Sequence, residues 1–363
     1  MKKIIIAAYI LLCICLTGCG GTNQKDYGEN YNQEQDAQNF SMLRNAAATE
    51  NGFYVLQDQY VYFIDKKSKK AVPLCGKPNC KHKDNSCNAY FTHPENIQAY
   101  AGNLYVVAGG SEELTCSLYR ISLDGSQREE LKVLFRYDSG DSGCSLDFTI
   151  HRGYGYMAVN WMQKDREKKT QTLYQILLDS SDEKKEVAQV TGYVPLIHVN
   201  EIRGNHIYFT TSCYLDKDGT EEELLNYEWN ILDGSSKKLN IPKGEALLAV
   251  RGERYFCYQD GKGLRSYDEN GKNEKKLFEW QYEICSVCRD EKYIYFDNEP
   301  CADSVSERRI MVVDYDGNVI CERKNMTENS PEIIWSDSKQ VLLQNIEKET
   351  YQILNLKEIS TLK

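Results

Sequence analysis

The sequence predicts an all-β protein in which one unit of four antiparallel strands is repeated along the chain. Short runs of alternating apolar and polar residues are typical of half-buried strands. The 363 residues include 26 tyrosines and only 7 prolines, a balance that also favours strands. The stretch from Gly102 to Phe135 is the clearest copy of the unit, with the turn Asp124–Gly125 before its last strand.

Seven strand openings define the repeat, and they begin at Gly52, Gly102, Gly153, Gly204, Gly252, Glu291 and Ser338. Their spacings are 50, 51, 51, 48, 39 and 47 residues. A period in this range with only strand signals is typical of propellers and other β arrays. We therefore predict a seven-bladed β-propeller of four-stranded antiparallel blades over residues 40–363. A pair of β-sandwiches is the alternative, but that architecture does not require such a period.

Two-residue turns punctuate the units. They are Asp124–Gly125, Asp233–Gly234, Asn270–Gly271 and Asp316–Gly317, and such pairs accept positive φ in tight hairpins. A glycine turn followed by a Leu-Tyr strand that ends in Asp-Gly resembles the TolB-like and low-density-lipoprotein-receptor-type propellers. The resemblance covers roughly residues 45–363 and implies the same fold. Only 22 residues follow Val341, so Phe40–Ala47 either completes the first blade or pairs with the last.

The first eighteen residues form a predicted signal peptide. Lys2 and Lys3 precede an apolar run from Ile4 to Leu16, which is too short to span a bilayer comfortably. The sequence Leu16-Thr17-Gly18-Cys19 resembles the bacterial lipoprotein signal, which implies cleavage before Cys19 and a diacylglycerol on its sulfur. An ordinary secretory signal is the alternative. Residues 19–39 contain almost nothing apolar, so we expect a lipidated flexible tether on the extracytoplasmic face of the cell membrane.

The charge of the chain limits its partners. The formal net charge is −10, and loss of residues 1–18, which removes two lysines and no acid, makes it −12. Binding to nucleic acid or to an anionic membrane surface requires a basic face. We therefore expect no nucleic-acid partner, membrane attachment through the lipid alone, an unidentified extracellular ligand or protein partner, and a monomer.

A cysteine cluster interrupts the first repeat. Cys75, Cys80, His82 and Cys87 have the spacing C-x4-C-x-H-x4-C. A turn at Gly76–Pro78 would bring Cys75 towards Cys80, and an extended backbone would place Cys80 and His82 on one side. Three thiolates and one imidazole suit a structural Zn²⁺, with ligand atoms within about 4 Å of one another. A Cys75–Cys80 disulfide and a loop of free thiols are the alternatives.

The pattern Leu-Cys-x-Lys-Pro-x-Cys-x-His within this cluster resembles propeller lipoproteins of Gram-positive gut anaerobes. Eight further cysteines are scattered through the repeats, and we expect most to be small buried residues. They are Cys116, Cys144, Cys213, Cys257, Cys285, Cys288, Cys301 and Cys321. Cys288 lies three positions after Cys285, which places the two side chains on opposite faces of a strand and argues against a redox pair.

No catalytic signature is convincing, and we predict no catalytic residue. Gly140–Gly143 resembles the nucleophile loop of trypsin-like proteases without the accompanying His and Asp contexts. Asp216–Gly219 lacks the later ligands of a calcium loop and suggests a hairpin tip. The sequence thus favours a lipid-anchored binding or scaffolding module. The alternative is a surface enzyme acting on glycans with carboxylates at the propeller funnel.

Overall fold

A computed structural model describes residues 40–41, 44–137, 144–161, 167–178, 183–259, 261–279, 286–298, 308–326, 330–345 and 348–359. The predicted signal peptide, Cys19 and the tether lie outside this range. So do Gly140–Gly143, Cys285 and Cys301. Nearly all regular structure in the described part is strand, as predicted. No helix in that part is long and apolar enough to cross a bilayer.

The chain enters through β1 (Phe40–Ser41) and then forms two four-stranded antiparallel sheets. The first sheet contains β2 (Ala46–Ala48), β3 (Gly52–Gln57), β4 (Tyr60–Asp65) and β5 (Ala71–Pro73). The second contains β6 (Asn96–Tyr100), β7 (Asn103–Gly109), β8 (Thr115–Ser122) and β9 (Arg128–Arg136). Each sheet follows chain order, because every strand forms a hairpin with the next.

A seven-stranded sheet follows, and it is two repeat units that share one strand. Its strands are β10 (Cys144–His151), β11 (Tyr154–Trp161), β12 (Lys168–Leu177), β13 (Lys184–Arg203), β14 (His206–Tyr214), β15 (Glu222–Asn230) and β16 (Ser236–Lys238). The first half of β13 pairs with β12 and the second half with β14. The register breaks between Tyr193 and Leu196, where Val194 has a φ of 48°. Pro195, which follows, cannot donate to the ladder.

Three sheets complete the chain. The first of them contains β17 (Ala246–Arg251), β18 (Arg254–Gln259), β19 (Gly263–Asp268) and β20 (Lys275–Phe278). The second contains β21 (Ser286–Arg289), β22 (Tyr293–Asn298), β23 (Arg308–Asp314) and β24 (Val319–Met326), with β1 added on β21. The third contains β25 (Glu332–Ser336), β26 (Gln340–Asn345) and β27 (Thr350–Asn355), and the helix α1 (Leu356–Ile359) follows.

Apolar packing between consecutive units forms the core. Within the described residues there are seven apolar clusters, each between one unit and the next. The last cluster joins the final sheet to the first, and in it Phe53 is fully buried and lies 5.1 Å from the ring of Trp335. Burial of apolar surface contributes about 25 cal/mol per Å². The two chain ends therefore meet through side-chain packing.

The segment Phe40–Ala47 was expected either to complete the first blade or to pair with the last, and the structure divides it between two sheets. Ala46–Ala48 supplies the first strand of the first sheet, as one alternative predicted. Phe40–Ser41 instead pairs with β21, opposite Arg289 and Cys288. Ile359 ends the short helix, and its side chain is buried beside β24 and β27.

Polar side chains also form hydrogen bonds between the first strands of neighbouring units. Gln98 Oε1 accepts from the Ile150 N–H at 2.8 Å, and Asp147 Oδ2 accepts from the Val199 N–H at 2.9 Å. Glu201 Oε2 accepts from the Val250 N–H at 2.5 Å. Each of these hydrogen bonds pairs a buried backbone N–H group, which would cost free energy if it had no acceptor.

Candidate functional sites: a metal centre and a channel pocket

The predicted metal cluster lies in the loop of residues 74–91, which connects the first sheet to the second. Both ends of this loop are tied to β4 by backbone hydrogen bonds. Leu74 N donates to Val61 O at 2.8 Å, and Val61 N donates to Ala89 O at 2.9 Å. Tyr90 adds an isolated β-bridge to Tyr60. The loop therefore has a fixed frame.

The four predicted ligands converge. The Sγ atoms of Cys75, Cys80 and Cys87 and a ring nitrogen of His82 all lie within 4.8 Å of one another. His82 Nδ1 is 3.2 Å from Cys87 Sγ, and the three thiols are free. The spread is wider than the expected ~4 Å for a zinc-filled tetrahedron. Within the described residues, this is the one group of cysteine, histidine and acidic side chains placed to hold a metal ion.

The backbone brings the ligands together differently from the prediction. Cys80 N donates to Lys77 O at 3.4 Å, which fits the expected turn at Gly76–Pro78. The expectation of an extended backbone from Cys80 to His82 was wrong, because His82 has a φ of 50° and Asn79 has a φ of 61°. Two left-handed residues thus curl the loop, and Asn accepts this conformation at lower cost than most residues.

The thiols have unlike electrostatic surroundings. Burial opposes ionisation of Cys75, but N–H groups of Lys77 and Asn88 outweigh it, so the pKa of Cys75 lies below its ordinary value. Burial raises the pKa of Cys87 to about 12. Cys87 is completely buried, whereas the other three ligands are half-buried. A metal cation at the centre would supply the positive charge that a buried thiolate requires.

Hydrogen bonds connect this loop to the second sheet. Arg128 of β9 donates to Cys87 O at 3.0 Å, to Asn85 O at 2.8 Å and to Tyr90 O. Asn88 Nδ2 donates to Gly125 O at 2.8 Å, in the turn between β8 and β9. A folded cluster therefore links the first unit to the second.

Among the described residues, cysteine, tryptophan and histidine side chains outside the cluster do not come together in a second site of this kind. Cys116, Cys213, Cys257 and Cys288 are buried, as expected, and Cys144 and Cys321 are half-buried. Trp161, Trp229 and Trp335 contact three different aromatic partners and make no common platform. His151 is buried against Gly204 O, and His206 Nδ1 lies 2.6 Å from Glu228 Oε1. The loop at Asp216 is the predicted hairpin tip, with its carboxylate accepting from Thr220 N at 2.9 Å.

A cavity of about 450 Å³ lies among the first strands of several units, and we call it the channel pocket. Its lining includes the segments 145–147, 198–200 and 246–248, from the beginnings of β10, of the second half of β13 and of β17. Arg44, Glu95 and Arg289 are further charged residues of its lining. The opposite ends of these strands meet elsewhere, where Glu291 binds Arg203 at 2.9 Å and approaches Arg251 at 3.9 Å. The pocket therefore opens at the end of the ring where first strands begin.

The buried carboxylates at the centre of the ring are ion-paired. Asp147 Oδ1 lies 2.7 Å from Arg44 Nη1, and His198 Nδ1 is 3.5 Å from Oδ2. Burial alone would raise the pKa of Asp147, but Arg44 and His198 outweigh it and hold the pKa below its ordinary value. The pKa of Glu201 is lowered in the same way, by Arg289 and neighbouring arginines. These carboxylates are held as anions, which is the opposite of a general acid.

Glu95 is the acid of the pocket whose pKa is raised rather than lowered. Burial raises its pKa, although Tyr137 Oη donates to Oε1 at 3.2 Å. A glycosidase needs two carboxyl groups in complementary states, whereas the second described acid of the pocket, Asp147, is neutralised by Arg44. Arg44 and the half-exposed His198 were not identified from the sequence, since neither belongs to a local motif.

Comparison with known proteins supports the fold alone. No protein-family model matches this sequence, and no curated protein matches it. The β-propeller domain of the trilobed protease from Pyrococcus furiosus matches with a TM-score of 0.50 and 13% identity, over 86% of this chain and 94% of that one. A TolB structure from Agrobacterium tumefaciens has a TM-score of 0.40 and 13% identity, over 79% and 94%. Oligogalacturonate lyase in complex with manganese gives 0.40 and 13%, over 69% and 73%. The chain is a β-propeller.

Proposed function

We propose that the protein is a lipid-anchored, extracytoplasmic binding module, attached through Cys19, with a seven-bladed propeller that binds its ligand in the channel pocket. The seven repeats and seven inter-unit clusters support the blade count, with β13 shared by the third and fourth blades. The observation that carries the binding function is a 450 Å³ cavity whose central acid, Asp147, is already neutralised. Cavities of this size that combine apolar and polar side chains are typical of small-molecule sites.

The full-length protein in lipid nanodiscs provides the test. Saturation-transfer NMR with a mixture of small-molecule fragments should detect binding that Leu248→Asp, inside the pocket, abolishes. The matched control is Leu232→Asp, at a leucine that is 60% exposed, and it should leave binding unchanged. Incubation with a panel of glycans should give no cleavage. Glycan cleavage that is lost in Glu95→Gln or Asp147→Asn would establish the enzyme alternative instead.

We also propose that Cys75, Cys80, His82 and Cys87 bind a structural Zn²⁺. The convergence of three sulfurs and one ring nitrogen within 4.8 Å supports this. Four protein ligands would fill a tetrahedral ion and leave no position for substrate. The metal would add to the apolar packing of Leu74, Ala89 and Phe91 in this loop and fix the junction between the first two blades.

Metal analysis of anaerobically purified protein should find about one zinc per chain, as four protein ligands imply. Cys80→Ser should reduce that content strongly and raise hydrogen exchange over residues 72–91, with little change in distant blades. The control is Cys321→Ser, at a half-buried cysteine outside the cluster. Less than about a tenth of an equivalent in the wild-type protein, or a Cys75–Cys80 disulfide found by thiol counting, would end the zinc proposal.

A further inference from the structure

One part of the lining of the channel pocket is an apolar surface. Five different strands contribute to it the side chains Leu146, Leu224, Leu248, Tyr258 and Val287. The three leucines are only half-buried, so a ligand that covers them removes further apolar surface from water. Such burial contributes about 25 cal/mol per Å². The pocket therefore favours a ligand with an apolar body.

The cations of the lining already have partners. Arg44 Nη1 lies 2.7 Å from Asp147 Oδ1. Arg289 donates to Asn200 O and lies beside the anionic Glu201, whose pKa it lowers. Because both guanidinium groups are paired within the ring, neither is available to neutralise an anionic ligand.

The acids of the lining are equally unsuited to hold a cation. Asp147 has Arg44 at one carboxylate oxygen, and His198 Nδ1 lies 3.5 Å from the other. Glu95 accepts from Tyr137 Oη at 3.2 Å, and burial raises its pKa, which favours the neutral form. A ligand ammonium group would therefore lose its hydration without gaining a free carboxylate among the described residues of the pocket.

The amide side chains of the lining are also hydrogen-bonded within the ring. Asn160 donates to Ile197 O at 3.2 Å and accepts from Ile197 N at 3.0 Å. Asn200 Nδ2 donates to the hydroxyl of a neighbouring threonine at 2.6 Å. The hydroxyl groups of Ser145 and Ser212 also line the cavity, and each can donate or accept. The pocket can thus pair a hydroxyl group of a ligand more readily than a charged group.

Resting on the binding function proposed above, we propose that the channel pocket binds a neutral, mainly apolar small molecule. Its body lies on the surface formed by Leu146, Leu224 and Leu248, and a hydroxyl group of the ligand bonds to Ser145 or Ser212. A carboxylate or an ammonium group would be buried without a counter-ion, which costs free energy. A glycan would leave several hydroxyl groups without partners against the leucines.

Matched compounds test the ligand class on the full-length protein in lipid nanodiscs. They are 3-phenylpropanol, 3-phenylpropionate and 3-phenylpropylamine, together with the alcohol, acid and amine of a naphthyl and a cyclohexyl skeleton. Calorimetry at pH 7 measures their affinities, and empty nanodiscs correct for partition into lipid. Each alcohol should bind at least about tenfold more tightly than the acid and the amine of the same skeleton, because only the ions must be buried without a partner.

Removal of the internal counter-ion gives a second test. In Asp147→Asn the amide can still accept from Val199 N, but it no longer neutralises Arg44. The ratio of the affinity for 3-phenylpropanol to that for 3-phenylpropionate should therefore fall at least about tenfold. Asp218→Asn, at an exposed aspartate, is the matched control and should leave this ratio unchanged. An unchanged ratio in Asp147→Asn would contradict the exclusion of anions by internal pairing.

The outcomes separate this inference from the binding function. An acid or amine that binds as tightly as its alcohol, and is lost in Leu248→Asp, would overturn the neutral ligand while the pocket remains a binding site. If none of the matched compounds binds, the charge of the fragments whose binding Leu248→Asp abolishes decides in the same way: neutral fragments support the inference and ionised ones overturn it. If no fragment binds in the pocket, both proposals are wrong.

Discussion

At the scale of single residues, Gly125 allows the loop of residues 74–91 to pack against the second sheet. It has a φ of +68°, and a Cβ there would lie 2.6 Å from the carbonyl carbon and oxygen of Leu74. Gly76 N also donates to Gly125 O at 2.9 Å. The absence of a side chain therefore serves both the turn and the contact next to Cys75.

Two glycine substitutions separate these roles. Gly102 has a similar φ of +77°, but a Cβ there would meet nothing within 4 Å. Gly102→Ala should lower the free energy of unfolding by about 1 kcal/mol, the cost of a left-handed alanine. Gly125→Ala should cost about 2 kcal/mol more, because Leu74 must also move, and should weaken zinc binding. Urea unfolding and zinc competition with a chelator measure both effects. Equal losses in the two variants would show that the contact with Leu74 does not matter.

The sequence identified the four side chains that converge in the loop of residues 74–91, but not the backbone conformation that brings them together. Spacing alone brought Cys75, Cys80 and Cys87 together with His82, because all four lie in one short loop. His82 has a left-handed φ, and its carbonyl accepts from the Tyr60 hydroxyl of β4 at 2.8 Å, a contact between elements that no local pattern reveals. Arg44 and His198 meet Asp147 only after distant units have packed, so no local pattern could reveal the pocket.

At the scale of elements, the first strands carry the polar interactions that hold neighbouring blades. Glu201 of β13 is the centre of the largest group. Arg251 Nη1 donates to its Oε1 at 2.5 Å, Arg203 lies 3.6 Å from the same oxygen, and Val250 N donates to Oε2. The Arg251 side chain continues to Asp290 O at 2.8 Å. One buried carboxylate thus joins three consecutive units.

Glu201→Gln should weaken this junction and change the acid dependence of stability. Burial alone would raise the pKa of Glu201, but the arginines and Val250 N hold it below its ordinary value. The unfolded group, with a pKa of about 4.3, therefore binds a proton before the folded one. Its contribution is present above that pH and is lost as pH falls through the folded pKa.

At pH 7, Glu201→Gln should cost about 3–5 kcal/mol, because Arg251 and its neighbours keep buried charges without their partner. Below pH about 4.3 its stability should fall less steeply than that of the wild type. Urea unfolding between pH 3 and 7 measures both, with Glu253→Gln, at an exposed turn, as the control. A parallel loss of stability at every pH would show that Glu201 is not an anion in the folded protein.

Strands were predictable where one unit resembles the next. Asp-Gly and Asn-Gly pairs gave the hairpins correctly, and Gly125, Gly234, Gly271 and Gly317 have the expected positive φ. The 20-residue β13 was not predictable, because Pro195 normally marks the end of a strand. Here the bulge absorbs the proline, and the strand passes from one unit into the next. The pairing of β1 with β21 joins segments far apart in sequence, and its two residues carry no pattern.

At the scale of the whole molecule, the ring closes by packing and the chain enters along its axis. The first sheet and the last meet at Phe53 and Trp335, with Lys69 Nζ donating to Ile353 O at 3.4 Å. Entry is set by β1, which runs antiparallel to β21 from the level of Arg289 to that of Cys288. Arg289 is the last residue of β21 and its side chain lines the channel pocket, so Phe40 lies level with the end of the pocket where first strands finish. The channel pocket opens on the opposite face.

With the proposed lipid anchor at Cys19, we expect the opening of the pocket to lie on the side of the ring that faces away from the membrane. Residues 19–39, the predicted tether, precede Phe40, and a flexible coil of that length would span about 25 Å. Two exposed positions mark the two faces: Ser145 at the rim of the pocket, and Glu253 in the turn that follows β17. A first strand of six residues separates such positions by about 20 Å along the axis.

Energy transfer to a labelled lipid should therefore be stronger from a fluorescent residue at position 253 than from one at position 145. Both proteins are reconstituted at full length in vesicles that contain an acceptor lipid. Cys19→Ser should abolish transfer from both positions, since the anchor and not the acidic surface of the ring holds the protein on the membrane. Retention of Cys19→Ser on the vesicles would contradict the lipid anchor. Stronger transfer from position 145, with the anchor intact, would mean that the ring turns its pocket towards the lipid surface, and the ligand would then have to arrive from the membrane side.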